Sequence, residues 1–204
     1  MNQGVFITFE GIDGVGKSTQ LDLLYSKCLE LGYSPVRTRE PGGTELGKRI
    51  RQLLLDPASG EISAQAEMLL YAADRAQHVA QVIKPALEAG KIVLCDRYMD
   101  STLAYQGYGL DRDVSLIRQV NCWAVDGLMP QITFCLDHDP QIVLKRTRGD
   151  RIEQRNLEYY QKVRMGYHKI AEQEPDRFFL IDASDTIEQV FDTIWDIIAR
   201  RGIL

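Results

Sequence analysis

Two hydrophobic rhythms alternate along the chain. Gly4-Val5-Phe6-Ile7-Thr8-Phe9, Lys91-Ile92-Val93-Leu94-Cys95-Asp96, Ile132-Thr133-Phe134-Cys135-Leu136-Asp137 and Phe178-Phe179-Leu180-Ile181-Asp182 are short apolar runs that predict strands. Their centres are continuous rather than alternating, as in strands buried on both faces of a parallel sheet. Ser34-Pro35-Val36-Arg37-Thr38 predicts a fifth, shorter strand. Between these runs apolar residues recur at helical spacing. Thr19 to Leu31 carries Leu21, Leu24, Tyr25 and Cys28, and Glu45 to Leu55 carries Leu46, Ile50, Leu53 and Leu54. Ser63 to Ala89 reads as one long helix, bent near Pro85 and closed by Gly90. Asp100 to Gly107 predicts a short helix and Arg112 to Val125 a longer one. A helix from Gln141 is capped by Asp139 with Pro140 behind it. Leu157 to Gln173 turns Tyr160, Val163, Tyr167 and Ile170 inward, and Asp185 with Glu188 forms a capping pair for Ile187 to Arg201. Strands separated by helices predict an α/β fold, a five-stranded parallel sheet with helices on both faces. With no repeat, low-complexity segment or linker, residues 1–204 are expected to form a single domain.

Between the first strand and the first helix stands Gly11-Ile12-Asp13-Gly14-Val15-Gly16-Lys17-Ser18. It fits the phosphate-binding pattern G-x-x-x-x-G-K-[ST], and both flanks agree with a P-loop NTPase type of fold. The backbone of Gly11 to Ser18, with Thr19 opening the helix, suits a di- or triphosphate such as ATP. Lys17 would reach the β- and γ-phosphates, and Ser18 would hold Mg²⁺. Asp96 ends a strand beside this loop, so it is a second candidate for Mg²⁺ or its water shell. Arg97 follows directly, and its fork of donors can bridge phosphates. Arg39-Glu40-Pro41-Gly42-Gly43-Thr44 forms a turn-rich loop where ligands of α/β sheets sit. Tyr71 and Arg75 share one side of a helix; Thr102, Tyr105 and Gln106 share one side of another. Lys145-Arg146-Thr147-Arg148-Gly149-Asp150-Arg151, with Arg155 beyond it, suits a mobile lid at about 145–155.

Composition narrows the class. With 204 residues, 45% hydrophobic and 26% charged, the chain is an ordinary globular protein with room for a sizeable core. A net charge of −5 argues against a broad nucleic-acid surface, though a local basic cluster still suits small anions. Cys28, Cys95, Cys122 and Cys135 show no metal spacing or disulfide framework, which fits small core residues in a reducing compartment. Strand one begins almost at once, leaving no room for a signal peptide, and no apolar run approaches the roughly 18 residues of a membrane span. A cytoplasmic location without a membrane partner is therefore expected.

The constellation of P-loop, strand-end Asp-Arg and late Arg-rich segment resembles a nucleoside monophosphate kinase. Phe9-Glu10-Gly11-Ile12-Asp13, Arg39-Glu40-Pro41-Gly42-Gly43-Thr44, Tyr71-Ala72-Ala73-Asp74-Arg75, Asp96-Arg97-Tyr98 and Asp150-Arg151-Ile152-Glu153 together resemble the thymidylate kinase family, from about Val5 to Ile198. The resemblance implies transfer of the γ-phosphate of ATP to dTMP, with Mg²⁺. It implies that Asp13 binds the sugar 3′-OH, Tyr71 stacks on thymine, and Arg75 donates to thymine O4. Thr102 and Gln106 would complete the base and sugar contacts, and Arg97 would hold the dTMP phosphate. Tyr105 is placed to close the space beside the ribose C2′. The family carries its catalytic arginine either in the P-loop or on the lid. Gly14 follows Asp13 here, so the resemblance implies the bacterial-type, lid-borne arrangement, with Arg148 and Arg151 foremost among Arg146, Arg148, Arg151 and Arg155. It further implies a homodimer built on the second and third helices. Another nucleotide or deoxynucleoside kinase is the runner-up. A GTPase would carry an Asn-Lys-x-Asp motif, absent here, and a nucleotide-regulated scaffold would show no turnover.

Overall fold

The computed structural model describes residues 4–146, 150–152 and 154–204. Five strands form one parallel sheet in the order β2-β3-β1-β4-β5. They are β1 (Val5–Glu10), β2 (Pro35–Arg39), β3 (Ile92–Asp96), β4 (Ile132–Asp137) and β5 (Phe178–Asp182). β1 lies at the centre, so the loop that leaves its C-terminal end opens between β3 and β4. Successive strand residues face opposite sides of a sheet. Ile7, Phe9, Ile92, Leu94 and Phe134 enter one core, and Phe6, Val93 and Cys95 enter a second. Two cores explain why the strands are apolar without interruption. The cysteines are free, with Cys28, Cys95 and Cys135 buried.

The first core is packed by α1 (Lys17–Glu30), α8 (Leu157–Gln173) and α9 (Ile187–Arg201), through Leu21, Leu24, Tyr160, Val163, Ile170, Ile194 and Ile198. α2 spans Glu45–Leu55. Ile50 and Leu54 are buried there, while Leu46 and Leu53, expected on its apolar side, are half exposed. The expected long helix divides into α3 (Ala64–His78), a π-helical turn over Val79–Ile83 and α4 (Lys84–Glu88). The wider turn falls just ahead of Pro85, which has no N–H to continue the ladder. α5 (Met99–Thr102) likewise passes into a π-helical turn at Leu103–Tyr108. α6 (Val114–Ala124) starts two residues later than the pattern suggests, because Asp113 caps it by accepting from the N–H of Ser115 and Leu116. α7 (Pro140–Val143) is capped by Asp139, as expected, and runs into a 3₁₀ turn at Leu144–Arg146. At α9 the capping box is Thr186 with Gln189, one residue beyond the expected Asp185 and Glu188. Among the described residues no helix is long and apolar enough to cross a membrane.

Candidate active site

A cleft of about 400 Å³ opens over the C-terminal ends of β1, β2 and β3. Its floor is the P-loop. Gly11 at φ +125° leaves no room for a side chain, since an added Cβ would lie 2.5 Å from the Leu136 carbonyl. Gly16 at φ +107° caps α1 without a side-chain acceptor, so no cap side chain takes up the first N–H groups of the helix, which suits them to an anion. Ile12 and Val15 are buried and contribute backbone rather than side chain. Asp13, Gly14, Gly16, Lys17, Ser18 and Thr19 line the cleft. Lys17 Nζ donates to the carbonyls of Gly11 and Ile12 at 3.1 and 2.9 Å. Burial and the neighbouring Arg97 lower its pKa, against the pull of Asp13, Asp96 and Glu10. Ser18 Oγ donates to Asp96 Oδ2 at 3.0 Å, which joins the two residues expected at Mg²⁺.

Arg97 turns the chain sharply as it leaves β3. Its φ of +70° is a left-handed conformation that costs a side-chain-bearing residue about 1–2 kcal/mol. Its N–H donates to the Phe9 carbonyl at 2.9 Å, which ties this turn to β1. The guanidinium then reaches Asp13 Oδ1 at 2.8 Å, Ser101 Oγ at 3.0 Å and the Tyr105 hydroxyl at 3.2 Å. It also lies over the Tyr105 ring, 5.0 Å from its centre. Burial alone would raise the pKa of Asp13, but Arg97 and Lys17 outweigh it and hold the carboxyl well below the usual range. Behind this turn, Glu10 accepts from the N–H of Tyr98 at 2.8 Å, from Ser101 Oγ and from the Tyr167 hydroxyl. Burial and the nearby Asp100 push Glu10 up to about 7, against Arg97 and the hydrogen bonds from Ser101 and Tyr98.

The far end of the cleft is a set of buried polar side chains. Arg75 is 1% exposed, so it is neither a solvated nor a snorkelling arginine. Its Nε donates to Glu40 Oε2 at 2.6 Å, Nη1 to Asn121 Oδ1, and Nη2 to the Tyr98 carbonyl at 3.1 Å. Glu40 also pairs with His78 Nδ1 at 2.9 Å. Three of Arg75's five donors are thus engaged, and the residue still lines the cleft. Tyr71, Thr102, Tyr105 and Gln106 line it too. Thr102 Oγ1 is buried and meets no hydrogen-bond partner among the described residues, an orphan on a residue that lines the cleft.

The structure therefore brings together Asp13, Lys17, Ser18, Tyr71, Arg75, Asp96, Arg97, Thr102, Tyr105 and Gln106. Arg151 goes elsewhere than expected of a phosphate ligand. Its Nη2 donates to Glu67 Oε2 at 2.5 Å and its Nε to the Leu54 carbonyl at 2.7 Å. Arg155 also pairs with Glu67. Arg148 lies outside the described residues. Arg39, from the loop expected where ligands sit, lines the cleft, as do Glu40 and Arg51, whose roles the sequence left open together with that of Arg49, and Ile152, which the sequence did not single out. Arg51 and Leu55 are four apart on α2, a spacing that could have marked that side. Glu67, Tyr71 and Arg75 form a similar row on α3.

A P-loop at the centre of the sheet, the Ser18–Asp96 pair beside it and buried polar side chains at the far end of the same cleft mark the class as a P-loop NTPase type of fold with a phosphate-binding site. Comparison with known proteins narrows the class. A family model described as thymidylate kinase matches residues 9–194. The thymidylate kinase of Halothermothrix orenii is 48% identical over 200 residues, 95% of each chain. That of Deinococcus radiodurans is 47% identical over 206 residues, 99% of this chain and all of the other. The crystal structure of thymidylate kinase from Ehrlichia chaffeensis superposes with a TM-score of 0.82 at 39% identity, covering 97% of this chain and 99% of that one. The chain belongs to the thymidylate kinase family, transferases that phosphorylate dTMP to dTDP with ATP.

Proposed function

We propose that this cleft binds dTMP with its phosphate on Arg97 and its base between Tyr71 and Arg75, and aligns it with ATP on the P-loop. The observation that carries the reading is the position of Arg97, whose guanidinium meets Asp13 of the P-loop at 2.8 Å. That contact sets the acceptor's phosphate site against the donor's. Phosphoryl transfer depends chiefly on positioning and on neutralising crowded negative charge. Lys17 supplies one cation from the P-loop and Arg97 another from the end of β3. Arg39 and Arg51 add positive charge on the acceptor side of the cleft. Asp13, kept ionised by Arg97 and Lys17, is an acceptor for a sugar hydroxyl, and Tyr105 shares its site at 3.4 Å.

Ser18 and Asp96 fit Mg²⁺ by donor chemistry, one hydroxyl and one carboxylate oxygen. Among the described residues no group of three or more His, Cys, Asp or Glu side chains could hold a metal by itself. Phosphate oxygens and water would complete the shell, and the bound ion would neutralise charge on the phosphates. Arg148 stays the candidate for a lid-borne cation. A homodimer is supported by apolar side chains left exposed on helices that pack in series: Leu46 and Leu53 on α2, Leu69 on α3, Leu116 and Trp123 on α6.

The deciding experiment is an ATP-dependent phosphorylation assay across the common nucleoside monophosphates. Turnover of dTMP with strong preference over dCMP and AMP is expected. No turnover, or equal specificity constants for dTMP and dCMP, overturns the reading.

A further inference from the structure

Glu67 has no exposed surface and stands on α3 one turn ahead of Tyr71 and two ahead of Arg75. Its carboxylate collects side chains from two distant parts of the chain. Gln106 Nε2 donates to Oε1 at 2.8 Å. Arg155 Nη2 donates to both oxygens, at 3.1 and 2.9 Å, and Arg151 Nη2 to Oε2 at 2.5 Å. Arg151 also holds the end of α2, through the Leu54 carbonyl at 2.7 Å and, from its backbone N–H, the Leu55 carbonyl at 3.1 Å. Arg155 donates to the Tyr159 hydroxyl at 2.6 Å, which in turn donates to the Tyr105 carbonyl at 3.2 Å.

We propose that Glu67 is a positioning residue for base recognition: it fixes the Gln106 amide with its carbonyl toward the cleft and anchors Arg151 and Arg155 on the same carboxylate. The proposal rests on the cleft being the dTMP site. A carboxylate accepts hydrogen bonds and cannot donate them, so Gln106 must offer its NH₂ to Glu67. Its Oε1 is then the group left for the cleft that the residue lines. An acceptor there suits the N3–H of thymine and opposes the N3 lone pair of cytosine. This contact discriminates independently of Arg75. The two guanidiniums give the buried carboxylate the counter-charge it needs. Arg151 and Arg155 are accordingly anchors of the chain on either side of residue 153, not ligands of the transferring phosphate.

Glu67→Gln keeps the side chain's shape but can present either an oxygen or an NH₂, so Gln106 loses its single orientation. The measurement is kcat and KM for dTMP and for dCMP, with ATP, in the wild type and in Glu67→Gln. The expected result is a fall in dTMP-over-dCMP preference of about tenfold or more, or about 1.4 kcal/mol. KM for dTMP should carry more of it than kcat. Arg155→Ala, at a side chain 19% exposed, should raise KM for dTMP several-fold with a smaller change in kcat. A parallel fall in kcat and kcat/KM of about 10³ is the mark of a transition-state cation and overturns the anchoring role. Failure of the wild type to phosphorylate dTMP refutes the site reading itself. A selective wild type with unchanged preference in Glu67→Gln refutes only the role of Glu67. If Glu67→Gln shows no cooperative unfolding transition, Arg155→Ala decides alone. A loss weighted to KM supports the proposal; a loss of about 10³ in kcat, or no change in either constant, overturns it.

Discussion

The two ends of the cleft are built on different principles. On the proposed reading, the phosphate end is almost contiguous: the P-loop, which runs into the start of α1, and the Asp96-Arg97 pair at the end of the neighbouring strand. Most of its binding groups are backbone N–H, aimed by the path of the chain. The base end draws on α3, α6, the turn after α5, the loop after β2 and residues 150–152 and 154–155. Buried polar contacts hold it together: Glu40 with Arg75 and with the His78 ring, and Glu67 with Arg151 and Arg155. The difference follows from what each end must distinguish. A phosphate is recognised by charge and shape, which a local loop can supply. A base is recognised by polar edges, and discrimination is strong only where a wrong edge leaves a desolvated group unpaired. Such groups need partners from elsewhere in the fold. The base end should therefore carry stability as well as specificity, and the phosphate end mostly rate.

Breaking the phosphate end gives the largest effect on turnover. Lys17→Ala should lower kcat/KM by about 10³ or more, in line with other charge-stabilising groups at transferring phosphates. Its thermal midpoint should stay close to that of the wild type. Activity retained within about tenfold, or a protein that no longer folds, would contradict the division drawn above.

Breaking the base end should do two things at once. Arg75→Gln leaves Glu40 buried with a weaker partner. Losing one member of a buried pair costs about 3–5 kcal/mol when nothing replaces it, and Gln recovers part of that. Denaturant unfolding should show the loss, and steady-state assays should show dTMP-over-dCMP preference down by about 10². A variant that loses selectivity at full stability would show that the base end is no more structural than the P-loop.

The smallest effect sharpens the boundary between the ends. Glu10 is the last residue of β1, directly before the P-loop, and it holds the turn that carries Arg97. Its ordinary value of 4.5 is raised to about 7 in the folded protein. Folding therefore takes up a proton between those values. The contribution is full below about 4.5 and is lost as pH rises through about 7. Each unit of displacement is worth about 1.4 kcal/mol. Unfolding free energy measured across this window should fall less steeply with pH in Glu10→Gln than in the wild type. Equal slopes would remove Glu10 from the account.

The pattern of apolar residues located every strand to within a residue or so, and α2, α8 and α9 at their observed limits. Burial of a face and hydrogen bonding within a few residues write a period into the chain, and that period is local. The P-loop was legible for the same reason, as were Ser18 in the first turn of α1 and Asp96 at the end of β3. The π-helical turns at Val79–Ile83 and Leu103–Tyr108 were not, since one inserted residue leaves the apolar spacing nearly unchanged. Nor was the α9 cap, because Asp185/Glu188 and Thr186/Gln189 have equal spacing and only the path of the loop selects one.

By itself, then, the sequence determined the sheet, its two-sided core and the chemistry of phosphate binding, and its likeness to the thymidylate kinase family named the base. The tertiary structure alone decided how that base end is assembled. Arg75 finds Glu40 across 35 residues, and Arg155 finds Glu67 across 88. Nothing in the neighbourhood of Arg151 distinguishes a phosphate ligand from an anchor. Its role depends on a carboxylate buried 84 positions earlier. A buried charge is stable only beside its partner, and the partner is chosen when α3, α6 and the segments carrying Arg151 and Arg155 pack together.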